Sequence, residues 1–307
     1  MFKKIIKFLY NLIPFRKYLF ILIKKLYVPS QNLYQHLTFK GTFEVFSGNK
    51  KFKIYHTGTI IENQLFWRGL EGFEPNSLKI WAKLCKTSDL ILDLGANSGI
   101  YSLLAKSENP SSTVHAFEPV ERIHKILENN ASINNFDITC HNKAISNSDG
   151  IGFFFDDEEE ITTSININTT LAEAAIYKGV SEETLHYEEI ETVTLDTFIK
   201  ENKISKIDLM KIDVELHEPE VFEGFKENLE KFKPTLVIEI VRDYIASSIE
   251  EKLSGLGYNY FYINEPYGGI DHPIEGSSYQ KVDSLKEGRH GNYLVCGNDI
   301  ADKLSLL

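Results

Sequence analysis

Residues 90–99 read Leu-Ile-Leu-Asp-Leu-Gly-Ala-Asn-Ser-Gly, and this stretch decides the fold. An apolar run ending in Asp93 predicts a buried strand, and the small residues from Gly95 to Gly99 predict a tight turn. A helical pattern then begins at Ile100. A glycine turn between a buried strand and a helix lets a nucleotide-like ligand lie against bare backbone at the helix N-terminus.

The spacing of the glycines narrows the choice of ligand. The chain has Asp-x-Gly-x-x-x-Gly, whereas the dinucleotide fingerprint is Gly-x-Gly-x-x-Gly. The middle glycine is missing and the polar Asn97 lies in the turn. This argues against a pyrophosphate and favours a ligand without phosphates, such as S-adenosylmethionine. The alternative is that the turn only connects a strand to a helix.

An acidic residue closes the second predicted strand, 113–117. Glu118 follows this strand directly, and Pro119 comes next. Because ligands bind at the carboxyl ends of parallel strands, Glu118 is expected to accept hydrogen bonds from both ribose hydroxyls. Its alternative role is to favour the N-terminus of the next helix. Together the glycine turn and this acidic residue predict a nucleoside-binding site.

These motifs resemble those of the FkbM-type S-adenosylmethionine-dependent methyltransferases. The resemblance rests on Asp-Leu-Gly-Ala-Asn-Ser-Gly at 93–99, Ala-Phe-Glu-Pro at 116–119 and Lys-Ile-Asp-Val-Glu at 211–215. It covers roughly residues 55–297, and it implies a class I methyltransferase fold and O-methylation of a sugar or natural-product hydroxyl. The family often has glycine after the Asp-Val-Glu stretch, where this chain has Leu216.

The alternation of strand and helix patterns predicts an α/β fold of this class I, Rossmann-like type. We expect a seven-stranded, mostly parallel sheet with helices on both faces, preceded by amphipathic helices and a small β element. The strands are expected at 90–94, 113–117, 138–145, 207–212, 235–240, 258–263 and 292–296. The expected domains are a basic helical segment at 1–30, a β extension at 31–75 and the methyltransferase domain at 76–300.

Eight residues at the ends of the first three strands are candidates for binding the cofactor. They are Asp93, Gly95, Ala96, Asn97, Gly99, Glu118, Pro119 and Asn142. Asn142 is expected to border the adenine, and its alternative role is to form the turn after the third strand.

Four polar residues after the fourth and fifth strands are candidates for catalysis: Asp213, Glu215, His217 and Glu239. Carboxylates there could orient a substrate hydroxyl, accept its proton or hold a divalent cation, although no metal site is predicted. Because histidine titrates nearest neutral pH, His217 is the favoured base. Alternatively, Glu215 and Glu218 only begin the following helix.

Two further regions are candidates for covering the substrate. The first holds polar and aromatic residues ahead of the glycine turn: His56, Trp67, Arg68, Glu71 and Glu74. The second is the long stretch between the third and fourth strands, which includes an acidic run at 156–160. A core position for Trp67 and a plain surface insertion for the long stretch are the alternatives.

Charge and cysteine content limit the classes of partner. The formal net charge is −11, and no acidic residue occurs before Glu44. An acidic body disfavours extended contact with nucleic acid. Three cysteines without metal or redox spacing suit a reducing compartment, so we expect a cytoplasmic protein that acts on a small-molecule or glycan acceptor.

The N-terminal segment is basic and amphipathic. Residues 1–13 place apolar and lysine side chains on opposite faces of a helix, and Pro14 then ends or kinks it. A second apolar stretch, 18–23, lies between basic pairs, and no run is long enough to cross a bilayer. Residues 1–28 are therefore expected either to lie on the inner membrane face or to pack on the catalytic domain or a sister subunit of a homo-oligomer.

The sequence thus predicts a methyltransferase that O-methylates a sugar, glycan or glycolipid hydroxyl. Three alternatives stay open: an O-methyltransferase for a peptide or polyketide natural product, a non-catalytic S-adenosylmethionine-binding module, and a nicotinamide-dependent oxidoreductase. The glycine spacing opposes the last of these.

Overall fold

The computed structural model describes residues 15–156, 186–266, 277–287 and 290–306. Helices and one hairpin precede the central sheet along the chain. They are α1 (Arg16–Leu26), α2 (Gln31–Tyr34), β1 (Gly41–Ser47), β2 (Lys50–His56), α3 (Ile60–Arg68), a 3-10 turn (Gly69–Gly72) and α4 (Pro75–Cys85). The predicted β extension is one antiparallel hairpin, in which Gly41 pairs with His56 and Ser47 pairs with Lys50. The division of the chain at residues 30 and 75 stays a prediction.

The described residues form an eight-stranded central sheet. Its strands are β3 (Leu90–Leu94), β4 (Thr113–Phe117), β5 (Ile138–His141), β9 (Leu209–Ile212), β10 (Thr235–Ile240), β11 (Asn259–Ile263), β12 (Tyr279–Val282) and β13 (Gly291–Cys296). They lie in the order β12-β11-β13-β10-β9-β3-β4-β5. The five strands from β10 to β5 are parallel, and β13, β11 and β12 are antiparallel to their neighbours.

This sheet confirms the predicted fold class and differs from the prediction in two details. All seven predicted strands are present, and β12 is an additional edge strand whose Tyr-Gln-Lys-Val sequence lacks a clear apolar alternation. The predicted third strand, 138–145, was too long. The chain leaves the central sheet at Asn142, and Ala144–Ile145 pairs in another sheet as β6.

That second sheet has three strands in the order β6-β8-β7, where β7 is Gly150–Asp156 and β8 is His186–Val193. The long stretch between the third and fourth predicted strands therefore includes an antiparallel strand pair. The intervening part, 157–185, lies outside the described residues, so its role as a substrate cover stays a prediction.

Helices cover both faces of the central sheet. After β3 they are α5 (Ile100–Glu108), α6 (Glu121–Asn134), α7 (Leu195–Glu201), α8 (Glu218–Glu223), α9 (Leu229–Phe232), α10 (Asp243–Leu253) and α11 (Asn298–Lys303). Alternate side chains of each strand enter two different cores, with Ile91 and Val237 on one face and Leu92 and Ile238 on the other. This period-two alternation with both faces buried is typical of parallel sheets.

Helix α1 packs against the body of the protein. Phe20 is buried with its ring centroid 5.7 Å from that of Trp67, and Lys24 Nζ donates a hydrogen bond to the Phe66 carbonyl oxygen. Residues 16–26 therefore pack on α3 of the same chain, while residues 1–14 lie outside the described range. Among the described helices, none has the length and apolar character needed to span a bilayer.

Candidate functional site

A cavity of about 520 Å³ lies at the carboxyl ends of β3, β4, β9 and β10. Ten of the twelve predicted site residues line it: Asp93, Gly95, Ala96, Asn97, Glu118, Pro119, Asp213, Glu215, His217 and Glu239. Gly99 and Asn142 are not among the lining residues. The structure therefore brings the predicted cofactor residues and the predicted catalytic residues to one cavity.

The glycine turn is shaped by the neighbouring strand. Gly95 has a φ of 78°, and a β-carbon there would lie 1.8 Å from the Asp213 carbonyl oxygen. Its amide and that of Ala96 both donate to the Phe117 carbonyl oxygen, at 3.0 and 2.9 Å. Glycine is thus required at position 95 by close backbone packing, an explanation that differs from the predicted ligand approach. Gly99, with a φ of 92°, precedes α5 and packs against Leu127.

Asp93 connects β3 to the first turns of α5. Its Oδ2 accepts hydrogen bonds from the Ser102 amide at 3.0 Å and the Ser102 hydroxyl at 2.6 Å. Burial raises the pKa of Asp93 to about 6, although the bonds from Ser102 and the charge of Lys211 oppose this shift. Asp93 therefore holds the helix N-terminus in place beside the cavity.

Glu118 fixes the glycine turn from the next strand. Its Oε2 accepts from the Asn97 amide and its Oε1 from the Val120 amide, both at 3.0 Å. Burial raises the pKa of Glu118 to about 7 despite these two bonds. Because Val120 directly precedes α6, Glu118 also supports a helix start, so the two roles considered for it are compatible.

The Asn142 side chain holds the backbone of Glu118 and Pro119 in place. Its side-chain amide donates to the carbonyl oxygens of Glu118 and Pro119, at 3.0 and 2.8 Å. These contacts favour the turn-forming role, and contact with adenine stays a prediction.

A buried ion pair lies at the end of β9, the strand next to the glycine turn. Lys211 is 1% exposed, and its Nζ lies 3.0 Å from Asp213 Oδ2 and 3.3 Å from Asn292 Oδ1. The ammonium also lies 5.0 Å from the centroid of the Tyr101 ring. Burial opposes the charge of Lys211, but the carboxylates of Asp213, Glu74 and Glu239 outweigh it and raise the lysine pKa.

Two glutamates complete this end of the cavity. Glu74 Oε2 accepts a hydrogen bond of 2.5 Å from the Tyr101 hydroxyl. The charge of Asp213, together with burial, raises the pKa of Glu239 well above its usual range. Glu239 is therefore protonated at neutral pH, which makes it a hydrogen-bond donor and a poor general base.

His217 also lines the cavity. Its Nε2 is 3.0 Å from Ser146 Oγ, and its Nδ1 is 3.6 Å from Glu220 Oε2. Burial lowers the pKa of His217, and the charge of Glu220 only partly opposes the shift. The imidazole is therefore neutral at pH 7 and able to accept a proton.

The loop before α8 has an unusual backbone. Glu215 and Leu216 have φ values of 54° and 76°, in the left-handed region. Leu216 stands where the resemblance implies glycine, and its conformation is one that glycine adopts without strain. Helix α8 begins at Glu218, so the alternative that these glutamates begin the helix is confirmed for Glu218, whereas Glu215 lies in the loop before it.

Of the residues proposed to cover the substrate ahead of the turn, only Glu74 lines the cavity. His56 and Trp67 are buried, the guanidinium of Arg68 lies over the Tyr34 ring, and Glu71 pairs with Lys79. The alternative that Trp67 belongs to the core is therefore the correct one.

Among the polar cavity residues that were not identified as candidates are Tyr101, Ser146 and Lys211. A signal existed for Lys211, because a lysine inside the apolar run Leu-Met-Lys-Ile must find a buried partner. Ser146 and Tyr101 carry no comparable local signal.

Within the described ranges, no group of three His, Cys, Asp or Glu side chains is arranged to hold a metal ion. The three cysteines are free thiols; Cys85 and Cys296 are buried and Cys140 is half-buried.

The chain was compared with known families and proteins. The family model described as the methyltransferase FkbM domain matches residues 93–260. The chain is 30% identical over 159 residues to the 31-O-demethyl-FK506 methyltransferase FkbM of Streptomyces tacrolimicus, covering 46% of this chain and 61% of that protein. It is 26% identical over 191 residues to methyltransferase sdnD of Sordaria araneosa, covering 54% of this chain and 73% of that protein. The chain therefore spans about three fifths of the length of the first relative.

Solved structures show more distant similarity. One is the methyltransferase FkbM of Methylobacillus flagellatus KT, at 15% identity and a TM-score of 0.39, covering 68% of this chain and 43% of that chain. Another is an S-adenosylmethionine-dependent O-methyltransferase of Thermotoga maritima, at 14% identity and a TM-score of 0.37, covering 73% of this chain and 65% of that chain.

Proposed function

This chain belongs to the FkbM methyltransferase family and is an S-adenosylmethionine-dependent methyltransferase, and we propose that it O-methylates a hydroxyl of a sugar, glycan or glycolipid intermediate. The observation that supports the proposal is the shared cavity, which is lined both by the glycine turn with Glu118 and by Lys211, Asp213 and His217. This arrangement provides a nucleoside site and a proton acceptor side by side.

The residues at the first two strand ends fit the cofactor. Asp93 and Glu118 are buried carboxyl groups that line the cavity, and the turn between them presents backbone. We infer that Glu118 would accept hydrogen bonds from the ribose hydroxyls and that Asp93 holds the turn. When bound, S-adenosylmethionine supplies an electrophilic methyl group on a sulfonium.

The cavity residues that follow β9, together with Glu239 on β10, fit a hydroxyl acceptor. The neutral imidazole of His217 would take the hydroxyl proton at Nε2, and Glu220 beside Nδ1 would stabilise the resulting imidazolium. Asp213, held by Lys211, and the protonated Glu239 offer an acceptor and a donor to neighbouring hydroxyls, as a sugar requires. His217 is thus the proposed base, and the carboxyl groups orient the substrate.

The alternative acceptor, a peptide or polyketide natural product, is favoured by a different part of the cavity. Ile151, Phe153 and Ile190 of the three-stranded sheet line one wall and offer apolar contact. The name of the Streptomyces relative also refers to a demethylated FK506 acceptor. The same base and carboxyl groups would serve either acceptor.

Methyl transfer to defined hydroxyl compounds tests the proposal. We would incubate the protein with S-adenosylmethionine labelled on the methyl group and with alkyl glycosides of known hydroxyl pattern, in parallel with a hydroxylated macrolide. Label in a product that survives mild alkali identifies a methyl ether. Transfer only to the macrolide would favour the alternative, whereas label only in alkali-labile methyl esters would contradict O-methylation of a hydroxyl.

His217→Gln is expected to lower kcat by about 10²–10⁴-fold, since the base is lost, while the affinity for S-adenosylhomocysteine stays within about threefold. The matched control is His290→Gln, because His290 is exposed beside Asp243 and outside the cavity. Equal turnover of the two variants would remove His217 from the role of base.

The affinity for S-adenosylhomocysteine is expected to rise between pH 6 and 8. Burial raises the pKa of Glu118 to about 7 and that of Asp93 to about 6, so both carboxyl groups lose their protons in or just below this interval. The ionised form accepts hydrogen bonds more strongly, so affinity increases with pH. Calorimetric titration at several pH values measures this, and Glu118→Gln should flatten the profile. A wild-type profile that is equally flat would disprove the ribose role of Glu118.

A further inference from the structure

Exposed apolar side chains concentrate at the N-terminal end of the described chain. Of the twelve large hydrophobic side chains that are exposed within the described ranges, eight fall between residues 15 and 33. They are Phe15, Tyr18, Leu19, Leu22, Leu26, Tyr27, Val28 and Leu33, and we call them the N-terminal apolar face. So dense a cluster exceeds the scattered exposure that is normal for a soluble surface.

This face is displayed by a helix that the body of the protein holds in place. Phe15, Leu19, Leu22 and Leu26 recur at the spacing of one helix face, and Leu22 and Leu26 are 57% and 82% exposed. The other side of α1 packs inward through Phe20 and through the bond from Lys24 to Phe66. The orientation of the face is therefore set by the fold.

The charge around the face points to its occupant. All eight lysine and arginine residues before Glu44 lie in a segment without acidic residues, so residues 1–43 carry a formal charge of +8. The rest of the chain carries −19, given a total of −11. Two copies meeting at this face would bring two strongly basic segments together, which disfavours a homodimer. An anionic lipid surface would attract the basic segment and repel the acidic body.

We propose that the N-terminal apolar face docks on an anionic lipid bilayer, with α1 lying in the plane of the interface. Leu19, Leu22 and Leu26 enter the boundary between headgroups and acyl chains, while the exposed Lys25, which flanks them on the helix, contacts lipid phosphates. Helix α3 connects this face to the cavity, because Trp67 packs against α1 while Ile61 lines the cavity. The docking depends on no feature of the proposed reaction.

Vesicle sedimentation of the full-length protein tests this proposal. We expect co-sedimentation with vesicles that contain phosphatidylglycerol, weak binding to pure phosphatidylcholine, and a loss of binding as salt concentration rises. Lys25→Gln should weaken the partition coefficient about fivefold, because a lysine near the membrane surface contributes about a fivefold factor. Leu22→Glu combined with Leu26→Glu should reduce it at least as much.

The matched control is Phe46→Glu, which changes a 58% exposed aromatic residue on β1, outside the face. It should sediment like the wild type, and circular dichroism and melting temperature should show that every variant is folded. Absence of sedimentation, or equal binding to neutral and anionic vesicles, would overturn the proposal. So would sedimentation equilibrium of a dimer that Leu22→Glu and Leu26→Glu convert to monomer, since the occupant would then be a second copy.

Discussion

Replacing Gly95 with alanine is expected to destabilise the protein by more than about 3 kcal/mol and to abolish binding of S-adenosylhomocysteine. The new β-carbon would lie 1.8 Å from the Asp213 carbonyl oxygen and 2.8 Å from its carbon. Both partners are backbone atoms of the central sheet, so neither can move without disturbing a strand end. The left-handed φ of 78° adds about 1–2 kcal/mol for any residue with a β-carbon. Urea unfolding and calorimetric titration measure the two effects.

Gly48→Ala is the matched control for this substitution. Gly48 also has a positive φ, of 57°, but a β-carbon there meets nothing within 4 Å. It should therefore lose only about 1 kcal/mol, which reflects the backbone conformation alone, and keep its affinity for S-adenosylhomocysteine. If the two alanine variants unfold at the same urea concentration, the close approach of the turn to β9 is not a determinant of stability.

Replacing Lys211 with methionine is expected to destabilise the protein by about 3–5 kcal/mol at pH 8. The variant keeps the carboxylates of Asp213 and Glu74 without the buried cation that offsets their charge. In the wild type the raised pKa of Lys211 means that its contribution persists until the pH approaches the unfolded value for lysine, and then declines. In the variant the deficit should shrink at acidic pH, where the carboxylates are neutralised by protons. Urea unfolding at pH 5.5 and pH 8 tests whether the variant is less stable than the wild type and whether this difference is smaller at the lower pH.

Two further variants test whether the loss of stability comes from the unpaired buried carboxylate or from the removal of any lysine. Lys211→Met combined with Asp213→Asn should recover part of the lost stability, because the unpaired carboxylate is removed as well. Lys206→Met is the control, since Lys206 is an exposed lysine paired with Asp208 and should cost less than about 1 kcal/mol. A deficit for Lys211→Met that is as small as the control would contradict the role of the buried ion pair.

The sequence predicted the features that depend on local periodicity. The apolar strand, the glycine turn and the acidic strand ends follow from spacing alone, and parallel topology then places strand ends together. This is why ten of the twelve predicted residues line one cavity.

Features that depend on distances between separate elements could not be read in this way. The protonation of Glu239 arises from Asp213 on the neighbouring strand, and the need for Gly95 arises from the Asp213 carbonyl oxygen. Both effects depend on which residues of neighbouring strands lie side by side, and the sequence pattern does not give this register. Strand β12 escaped prediction because its sequence is polar and depends on pairing with β11, and the end of β5 was missed because Ala144–Ile145 remains extended after changing sheets.

The three-stranded sheet beside the cavity has a consequence for how such proteins diversify. This sheet contributes Ile151, Phe153, Ile190 and Thr192 to the cavity wall. The hydrogen bonds that Ser102 and Asn97 donate to the carboxyl groups of Asp93 and Glu118 do not involve this sheet. Substitutions in the wall can therefore alter which molecules fit without disturbing the glycine turn. We therefore expect that substitutions in this wall change the choice of acceptor while leaving the binding of the methyl donor intact.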